Sequence, residues 1–529
     1  MNANDNVVIV GTGLAGVEVA FGLRASGWEG NIRLVGDATV IPHHLPPLSK
    51  AYLAGKATAE SLYLRTPDAY AAQNIQLLGG TQVTAINRDR QQVILSDGRA
   101  LDYDRLVLAT GGRPRPLPVA SGAVGKANNF RYLRTLEDAE CIRRQLIADN
   151  RLVVIGGGYI GLEVAATAIK ANMHVTLLDT AARVLERVTA PPVSAFYEHL
   201  HREAGVDIRT GTQVCGFEMS TDQQKVTAVL CEDGTRLPAD LVIAGIGLIP
   251  NCELASAAGL QVDNGIVINE HMQTSDPLIM AVGDCARFHS QLYDRWVRIE
   301  SVPNALEQAR KIAAILCGKV PRDEAAPWFW SDQYEIGLKM VGLSEGYDRI
   351  IVRGSLAQPD FSVFYLQGDR VLAVDTVNRP VEFNQSKQII TDRLPVEPNL
   401  LGDESVPLKE IIAAAKAELS SAMSKVVYVS HDGTRRELDV ADGVSLMQAA
   451  VSNGIYDIVG DCGGSASCAT CHVYVNEAFT DKVPAANERE IGMLECVTAE
   501  LKPNSRLCCQ IIMTPELDGI VVDVPDRQW

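Results

Sequence analysis

Residues 6–16, NVVIVGTGLAG, decide the fold of the first part of the chain. The apolar, β-branched residues 6–10 predict a strand, and the sequence after the glycine loop has the pattern of a helix. A second strand is predicted at residues 32–35 and is followed by Asp37. The small residues of the G-x-G-x-x-G loop are Gly11, Gly13, Ala15 and Gly16. This order predicts a dinucleotide fold in which the helix N-terminus binds a pyrophosphate and Asp37 accepts hydrogen bonds from a ribose.

The same pattern occurs a second time at residues 151–161, RLVVIGGGYIG, and the strand predicted at residues 174–178 leads into Asp179. The loop residues that the pattern selects are Gly156, Gly158, Ile160 and Gly161. Asp179 favours the unphosphorylated ribose of NADH, whereas the nearby Arg183 is a residue type that attracts the 2′-phosphate of NADPH. Two fingerprints predict two bound dinucleotides. The alternative is a duplicated fold with only one working site.

Two shorter strand-and-loop signals point to a flavin at the first site. Residues 105–110 lead into Gly111, and residues 278–283 lead into Asp284. With these signals the chain resembles the flavoprotein reductases that are built from two dinucleotide folds. The resemblance implies that Thr110 and Gly111 pass near FAD and that Asp284 holds its ribityl chain.

Three further stretches resemble the FAD-dependent ferredoxin reductases of oxygenase systems, namely residues 46–50 (PPLSK), 301–308 (SVPNALEQ) and 327–334 (PWFWSDQY). The resemblance implies that Lys50, Glu163 and Trp330 lie near the isoalloxazine ring, with Glu163 on its nicotinamide side and paired with Lys50. It also implies that Val302 borders the flavin. No side chain is expected to act as an acid, a base or a nucleophile. From the residues alone, Lys50 and Glu163 also fit a solvated surface, and Trp330 fits a core.

The reductase part lacks the redox cysteine pair of disulfide reductases on this fold. Before residue 423, no two cysteines are closer than 16 residues in sequence. This spacing disfavours a disulfide or peroxide reductase, so the electrons of the flavin need another acceptor.

Cysteines near the end of the chain supply such an acceptor. They have the spacing C-x5-C-x2-C in the small-residue stretch DCGGSASCATC, and a further cysteine follows before Gln510. The predicted ligands are Cys462, Cys468, Cys471 and Cys509. Four thiolates suit a two-iron, two-sulfur (2Fe-2S) cluster, although Cys508 competes for the fourth position. A structural zinc site is the alternative, but it normally has two C-x2-C pairs and only one is present here.

Residues 423–529 resemble the β-grasp ferredoxins of the adrenodoxin and putidaredoxin class, which serve haem-thiolate monooxygenases, and residues 1–422 resemble the reductases of such systems. The resemblance places the fourth ligand immediately before the glutamine, at Cys509. Cys508 is then expected to face the opposite side of a strand. The resemblance also implies a camphor-type monooxygenase as the electron acceptor.

The expected fold class is α/β, with two Rossmann-like dinucleotide-binding domains and an α+β C-terminal reductase domain, followed by an α+β β-grasp ferredoxin domain. The expected boundaries are residues 1–112 and 246–325 for the discontinuous FAD-binding domain, 113–245 for the NAD-binding domain, 326–422 for the reductase C-terminal domain and 423–529 for the ferredoxin domain. Helix 408–421 leads through Ala422 directly into Met423, which is typical of two joined genes.

Charge and hydropathy narrow the partners. The formal net charge is −17, and from Met423 onward acidic residues outnumber basic ones two to one, which argues against nucleic acid. We expect docking through Asp461, Trp529 and an acidic helix over residues 486–500 that carries Glu488, Glu490, Glu495 and Glu500. A solvated acidic surface is the alternative. No signal peptide or membrane-spanning run is visible, so a cytoplasmic protein without a membrane partner is expected.

These patterns together predict electron transfer from NADH to FAD, then to the 2Fe-2S cluster and finally to a haem-thiolate monooxygenase. The two parts of the chain are expected to contact each other during transfer. A redox sensor that signals through its cluster is the rival from another class, and it predicts slow turnover with artificial one-electron acceptors.

Overall fold

The computed structural model describes residues 5–421 and 423–528. The chain divides into two compact units. The first extends to Arg393 and includes Pro398–Leu408, and the second comprises Leu394–Glu397 and the residues from Lys409 onward. Among the described residues, no helix combines the length and the apolar character needed to cross a membrane.

The first unit contains a five-stranded sheet that carries the first glycine loop. Its strands are all parallel, and in sheet order they are Ile279–Ala281, Arg105–Leu108, Val7–Val10, Ile32–Val35 and Ile75–Leu78. Val7–Val10 is buried along its whole length, which is typical of a parallel strand covered on both faces. Helices Leu14–Ala25 and Val302–Leu316 lie so close together that a Cβ on Gly22 would be 3.2 Å from the Cβ of Ala313.

A second parallel sheet of the first unit carries the second loop. In sheet order its strands are Asp207–Arg209, His174–Leu178, Arg151–Ile155, Leu241–Ala244 and Phe130–Tyr132. Helices Tyr159–Lys170, Pro191–Glu203 and Leu136–Arg143 accompany it. Thr135 caps the last of these in a capping box with Asp138, which satisfies two free backbone N–H groups at the helix start.

Short strands and small helices complete the dinucleotide-binding part; the strands pair antiparallel, except that Ile266–Ile268 and Ala286–Ser290 pair in parallel. The strands are Val83–Asn87, Gln92–Leu95, Ala100–Asp102, Gly112–Pro114, Val214–Met219, Val226–Cys231, Arg236–Pro238, Leu248–Pro250, Ile266–Ile268, Ala286–Ser290 and Arg295–Val297. The helices are Pro67–Ala72 and Glu253–Ala257.

An antiparallel sheet follows in the sequence. In sheet order its strands are Trp328–Gln333, Ile336–Gly342, Arg370–Val377, Asp360–Gln367 and Arg349–Ser355. Helices Pro380–Thr391 and Pro398–Leu401 come after it. Leu338 and Phe361 of this sheet share one hydrophobic core with Leu162 and Tyr197 of the second dinucleotide sheet's helices, so the sheet is fixed against that part of the molecule.

The second unit contains helix Leu408–Ser421 from Lys409 onward and a mixed sheet. The order of its strands is Arg435–Ala441, Met423–Val429, Ile520–Asp523, His472–Val475 and Ser505–Leu507. The first pair is an antiparallel hairpin, and Met423–Val429 pairs in parallel with Ile520–Asp523. Helices Leu446–Ser452, Glu477–Thr480 and Glu488–Leu494 lie in the connections.

This architecture confirms the predicted fold class of two Rossmann-like domains, a C-terminal reductase domain and a ferredoxin domain. The proposed domain boundaries stay predictions. The helix predicted over residues 486–500 is wrong in length, because it spans only Glu488–Leu494. Chain positions 422 and 529, which include the predicted anchor Trp529, lie outside the described residues.

Candidate cofactor sites

The first glycine loop is shaped to receive a phosphate. Gly11 has φ +117°, and a Cβ there would lie 2.0 Å from the carbonyl oxygen of Ala109. A Cβ on Gly16 would lie 2.0 Å from the carbonyl oxygen of Gly11, so both positions exclude other residues. A Cβ on Gly13, by contrast, would meet no described atom within 4 Å. The loop therefore leaves open space at the start of helix Leu14–Ala25, where backbone N–H groups bind a pyrophosphate.

A cavity of about 270 Å³ lies beside this loop, lined by Thr12, residues 38–42, Leu77 and Gly79. Asp37 is exposed and stands between the strand end and this cavity lining in the sequence. Its carboxylate is therefore accessible to a ribose. The cavity and the open glycine loop fit the adenosine and pyrophosphate of FAD.

The residues predicted along the rest of the flavin are held by specific partners. Thr110 donates its hydroxyl to the carbonyl oxygen of Asn251 at 2.6 Å, and Gly111 has φ +59°. Asp284 is half-buried and pairs with Arg134 at 3.3 Å. Val302 is the first residue of its helix, next to the capping residue Ser301.

Sequence reasoning missed two residues around Asp284. Arg134 pairs with its carboxylate, and Gln308 accepts a hydrogen bond from the N–H of Gly283 at 2.8 Å. No local motif marks Arg134, whereas Gln308 ends the stretch 301–308 that carries the family resemblance, although its contact with Gly283 was not predicted.

The second glycine loop repeats the geometry of the first. Gly156 has φ +112°, and a Cβ there would lie 2.3 Å from the carbonyl oxygen of Gly245. A Cβ on Gly161 would lie 2.0 Å from the carbonyl oxygen of Gly156, whereas Gly158 faces open space. Ile160 is exposed at the helix start. This loop also fits a pyrophosphate.

Asp179 and Arg183 behave differently at the second site. Asp179 accepts hydrogen bonds from the N–H groups of Gly157 at 2.7 Å and Ala181 at 2.8 Å, which fix its carboxylate beside the loop. Arg183 donates to Ser194 at 2.5 Å and to backbone oxygens that include that of Thr189 at 2.8 Å. Its guanidinium is thus occupied by the protein, while Asp179 remains next to the loop.

The predicted pair of Lys50 and Glu163 is present. Lys50 Nζ lies 3.0 Å from Glu163 Oε1, and the two side chains are 20% and 5% exposed. The hydroxyls of Ser49 and Ser331 donate to the same carboxylate at 2.5 Å and 2.6 Å. Lys50 Nζ also lies 6.0 Å from the ring centroid of Trp330. Sequence reasoning named the pair and Trp330 but missed the two serines.

In the second unit the four predicted ligand thiols lie in two pairs, with Cys508 beside the second pair. The thiol of Cys462 interacts with that of Cys468, and the thiol of Cys471 interacts with those of Cys508 and Cys509. Among the described residues no three potential ligands converge on one point. Two pairs of thiolates match the two irons of a 2Fe-2S cluster, each of which takes two cysteine ligands.

The loop around these thiols directs backbone N–H groups at sulfur. Burial raises the pKa of Cys462, but the N–H groups of Ser467 and Gly464, with the thiol of Cys468 and the hydroxyl of Ser465, outweigh it and lower the pKa to about 5. A thiolate is the metal-binding form. Positive φ angles at Gly463, Gly464, Ala466 and Ala469 allow the loop to curl in this way. The site fits the cluster.

The fourth ligand lies in a turn and not in a strand. Cys508–Gln510 form a short 3-10 turn after strand Ser505–Leu507, so the expectation that Cys508 faces the opposite side of a strand is wrong. In this turn Cys508 also contacts the thiol of Cys471 and raises its pKa. Gln510 donates to the sulfur of Cys509 at 3.3 Å, and the N–H of Ala466 also points to that sulfur. These donors distinguish Cys509 from Cys508 as the predicted fourth ligand.

One residue of the predicted acidic surface is not on a surface. Glu490 is fully buried, and Arg506 binds its carboxylate through two nitrogens at 2.8 Å and 3.0 Å. The N–H of Leu507 donates to it at 2.9 Å. The predicted exposure of Glu490 is therefore wrong, because strand Ser505–Leu507 covers the helix face on which it lies. Glu488, Glu495, Glu500 and Asp461 are exposed.

Three family models match the chain in succession. The pyridine nucleotide-disulphide oxidoreductase model matches residues 5–309, the reductase C-terminal model matches 328–412, and the 2Fe-2S iron-sulfur cluster binding domain model matches 429–514. They follow the order of the sheets described above.

Relatives with known names agree. Rhodocoxin reductase of Rhodococcus erythropolis is 41% identical over 78% of this chain and 95% of its own length. Terpredoxin reductase of a Pseudomonas species is 38% identical over 77% of this chain and 98% of its own length. The crystal structure of the ferredoxin reductase for the CYP199A2 system from Rhodopseudomonas palustris matches with a TM-score of 0.73 and 39% identity, over 77% of this chain and 100% of that one.

The glycine loops, the thiol pairs and these similarities agree on FAD, NADH and a 2Fe-2S cluster as cofactors. The chain therefore belongs to the pyridine nucleotide-disulphide oxidoreductase family, as an FAD-dependent NADH:ferredoxin oxidoreductase fused to its own 2Fe-2S ferredoxin domain.

Proposed function

We propose that this enzyme delivers electrons from NADH to a separate haem-thiolate monooxygenase of the camphor-hydroxylating type. The observation that carries the proposal is the C-x5-C-x2-C spacing of Cys462, Cys468 and Cys471, which is typical of ferredoxins that serve such enzymes. The relatives support an oxygenase acceptor, since one serves the CYP199A2 system.

Each cofactor has residues suited to hold it. When bound, FAD accepts the hydride of NADH and returns its two electrons singly to the cluster. The first loop, with Gly11, Gly13, Ala15 and Gly16, binds the FAD pyrophosphate, and Asp37 binds its ribose. Thr110, Gly111, Val302 and Asp284 line the remainder. Lys50, Glu163 and Trp330 border the ring and control its polarity and access to water.

NADH binds at the second loop, through Gly156, Gly158, Ile160 and Gly161, with Asp179 next to the adenosine ribose. A carboxylate repels a 2′-phosphate, and Arg183 is tied to Ser194 and Thr189. We therefore expect NADH to be preferred over NADPH. Comparison of kcat/KM for the two nucleotides tests this, and an Asp179→Ala variant should narrow the difference.

The cluster is held by Cys462, Cys468, Cys471 and Cys509. A Cys509→Ser variant should lose most of its iron and sulfide, because one of the two thiolates on an iron is replaced. Cys508→Ala is the matched control and should keep both. The ligand assignment is wrong should Cys508→Ala be the variant that loses the cluster.

Acceptor docking uses the exposed acidic groups near the cluster loop, namely Asp461, Glu488, Glu495 and Glu500, together with Trp529. Opposite charges on the partner speed association at low salt. Asp439 lies on the edge strand at the other end of the ferredoxin sheet, so Asp439→Asn is a control for Asp461→Asn. Only Asp461→Asn should slow electron transfer to the acceptor.

The decisive experiment mixes the NADH-reduced holoenzyme with candidate acceptors in a stopped-flow instrument without oxygen. We expect the camphor-type haem-thiolate enzyme to be reduced faster than the terminal component of a Rieske dioxygenase. Faster reduction of the dioxygenase component would overturn the proposed acceptor. Fast turnover with an artificial one-electron acceptor, in turn, argues against a redox sensor.

We also propose that the reductase and ferredoxin parts contact each other and exchange electrons within one chain, because the tether raises the effective concentration of the carrier. The rate constant for cluster reduction by NADH should then be independent of protein concentration. A rate that rises in proportion to concentration would assign the transfer to two different molecules.

A further inference from the structure

The carboxylate of Glu163 is the end of a longer series of hydrogen bonds. Ser331, which donates to it, lies on strand Trp328–Gln333 and is fully buried. Gln333 lies two residues further along the same strand and therefore on the same face. Its side-chain nitrogen donates to the hydroxyl of Ser331 at 3.2 Å. Since that hydroxyl oxygen already accepts from Gln333, its proton is free to be donated to Glu163.

The series continues to helix Pro191–Glu203. His201 of this helix is fully buried, and its Nε2 lies 2.8 Å from the side-chain oxygen of Gln333. A carbonyl oxygen can only accept, so Nε2 carries the proton. The other nitrogen, Nδ1, then accepts from the hydroxyl of Tyr334, which lies 3.1 Å away.

The protonation states of His201 and Tyr334 support this assignment. Burial lowers the pKa of His201 to about 4, so the ring is neutral at physiological pH and has one N–H. Burial also raises the pKa of Tyr334 to about 12, so its hydroxyl keeps the proton. Each donor between Tyr334 and Glu163 consequently points in the same direction, toward the carboxylate.

A uniform direction has an electrostatic consequence. Hydrogen bonds in series polarise one another, and the donor next to an ionised group gains most. A reversed series would place an oxygen lone pair of Ser331 against the carboxylate. Besides these donors, Glu163 faces the ammonium of Lys50, the hydroxyl of Ser49 and the phenol of Tyr159.

We propose that Ser331, Gln333, His201 and Tyr334 are positioning residues that hold the carboxylate of Glu163 directed at Lys50. Their influence on the flavin rests on the proposed placement of the Lys50 and Glu163 pair beside the ring. Their influence on Glu163 itself does not depend on that placement.

The chain offers a graded set of variants with a matched control. Ser331→Ala removes the last donor, Gln333→Leu interrupts the middle, and Tyr334→Phe removes only the first hydroxyl. The control is Tyr197→Phe, which makes the same chemical change as Tyr334→Phe. Tyr197 lies on the same helix as His201, and its buried hydroxyl has no hydrogen-bond partner among the described residues. Tyr334 is partly exposed, so its variant is the one least prone to misfold.

The hydrogen bonding of the Glu163 carboxylate can be read by infrared difference spectroscopy of the holoenzyme, in the frequency of its antisymmetric stretch, with Glu163→Gln to identify the band. We expect this band to shift most in Ser331→Ala, less in Gln333→Leu and least in Tyr334→Phe, because each variant in turn removes a donor further from the carboxylate. Tyr197→Phe should leave the band unchanged. Equal frequencies in Tyr334→Phe and Tyr197→Phe, together with no shift in Gln333→Leu, would overturn the proposal.

The flavin spectrum separates the two claims. A shifted carboxylate band with a matching change of the flavin absorption supports both the series and the placement of Glu163. A shifted band with an unchanged flavin spectrum supports the positioning series and contradicts the proposed placement beside the ring.

Discussion

Glu163 in the first unit and Glu490 in the second are both buried, and each is bound by one cation and by further donors. Glu163 meets a lysine that is 20% exposed and two serine hydroxyls. Glu490 meets an arginine in a two-pronged contact and a backbone N–H. Lysine is a compact charge that can take up water, whereas the planar arginine fork fixes both the distance and the angle. The first arrangement therefore suits a working site, and the second joins a helix to a strand.

The same comparison explains why one glutamate is fixed more firmly. Arg506 and Leu507 lie immediately before the turn that carries Cys509. Glu490 thus ties helix Glu488–Leu494 to the strand that leads into the fourth cluster ligand. Loss of the carboxylate would leave a largely buried guanidinium with the carbonyl oxygen of Pro484 but no counter-charge. The lysine at Glu163 has the option of hydration.

The largest expected effect is at Glu490. A Glu490→Ala variant should lower the free energy of unfolding of the ferredoxin unit by about 3–5 kcal/mol, since it leaves the guanidinium of Arg506, which is only 13% exposed, without its carboxylate. Urea unfolding followed by the visible absorbance of the cluster measures this. Glu495→Ala, at an exposed position just after the same helix, should stay within about 0.5 kcal/mol. Equal values for the two variants would show that Glu490 is not a structural anchor.

A smaller effect is expected in the pH dependence of the stability of the first unit. The pKa of His201 is lowered by burial from 6.5 to about 4, so the folded first unit binds fewer protons than the unfolded chain between these values. The contribution of His201 to the free energy of unfolding is fully present above pH 6.5. It is lost as the pH decreases toward 4, in total by an amount on the order of 3 kcal/mol.

Release of FAD, followed by its fluorescence during acid unfolding, tests this dependence. His201→Gln should be less sensitive to acid than the unchanged chain. His199→Gln is the control, since His199 lies on the same helix with a side chain that is 72% exposed. An unchanged acid transition in His201→Gln would contradict the assignment of a neutral buried ring.

Local signals made the cofactor loops predictable. Gly16 and Gly161 are required by contacts with Gly11 and Gly156 of their own loops, so a local spacing pattern identifies them. The contacts that require Gly11 and Gly156 come from Ala109 and Gly245, which follow neighbouring strands, but the same pattern includes these glycines. The cysteine spacing is equally local. The pairing of Lys50 with Glu163 came only through a family resemblance, because the two residues are far apart in sequence.

Other parts of the sites depend on long-range packing that no short pattern contains. Glu490 was expected on a surface because the sequence of residues 486–500 does not distinguish its acidic residues from one another. Only the packing of strand Ser505–Leu507 against one face of the helix makes Glu490 different. Ser331 and Gln333 alternate with exposed residues as in any strand, and their role depends on helix Pro191–Glu203. The turn at Cys508 differs from the expected strand by a change of backbone angles that adjacent cysteines do not reveal.

The smallest effect on stability is expected at Glu163. In a Glu163→Gln variant, one serine hydroxyl still donates to the amide oxygen, the other can turn to accept from the amide nitrogen, and the partly exposed lysine gains water. The free energy of unfolding should therefore change by less than about 1 kcal/mol. The rate of FAD reduction by NADH should nevertheless fall about tenfold, because the charge that orients Lys50 is lost. Glu335→Gln is the matched control, since Glu335 also pairs with a lysine, Lys170, at 2.9 Å but is 91% exposed. Its rate and stability should both stay unchanged, as expected for a surface ion pair. A large loss of stability in Glu163→Gln without a change of rate would make the two buried glutamates equivalent and remove the distinction between a working pair and an anchoring pair.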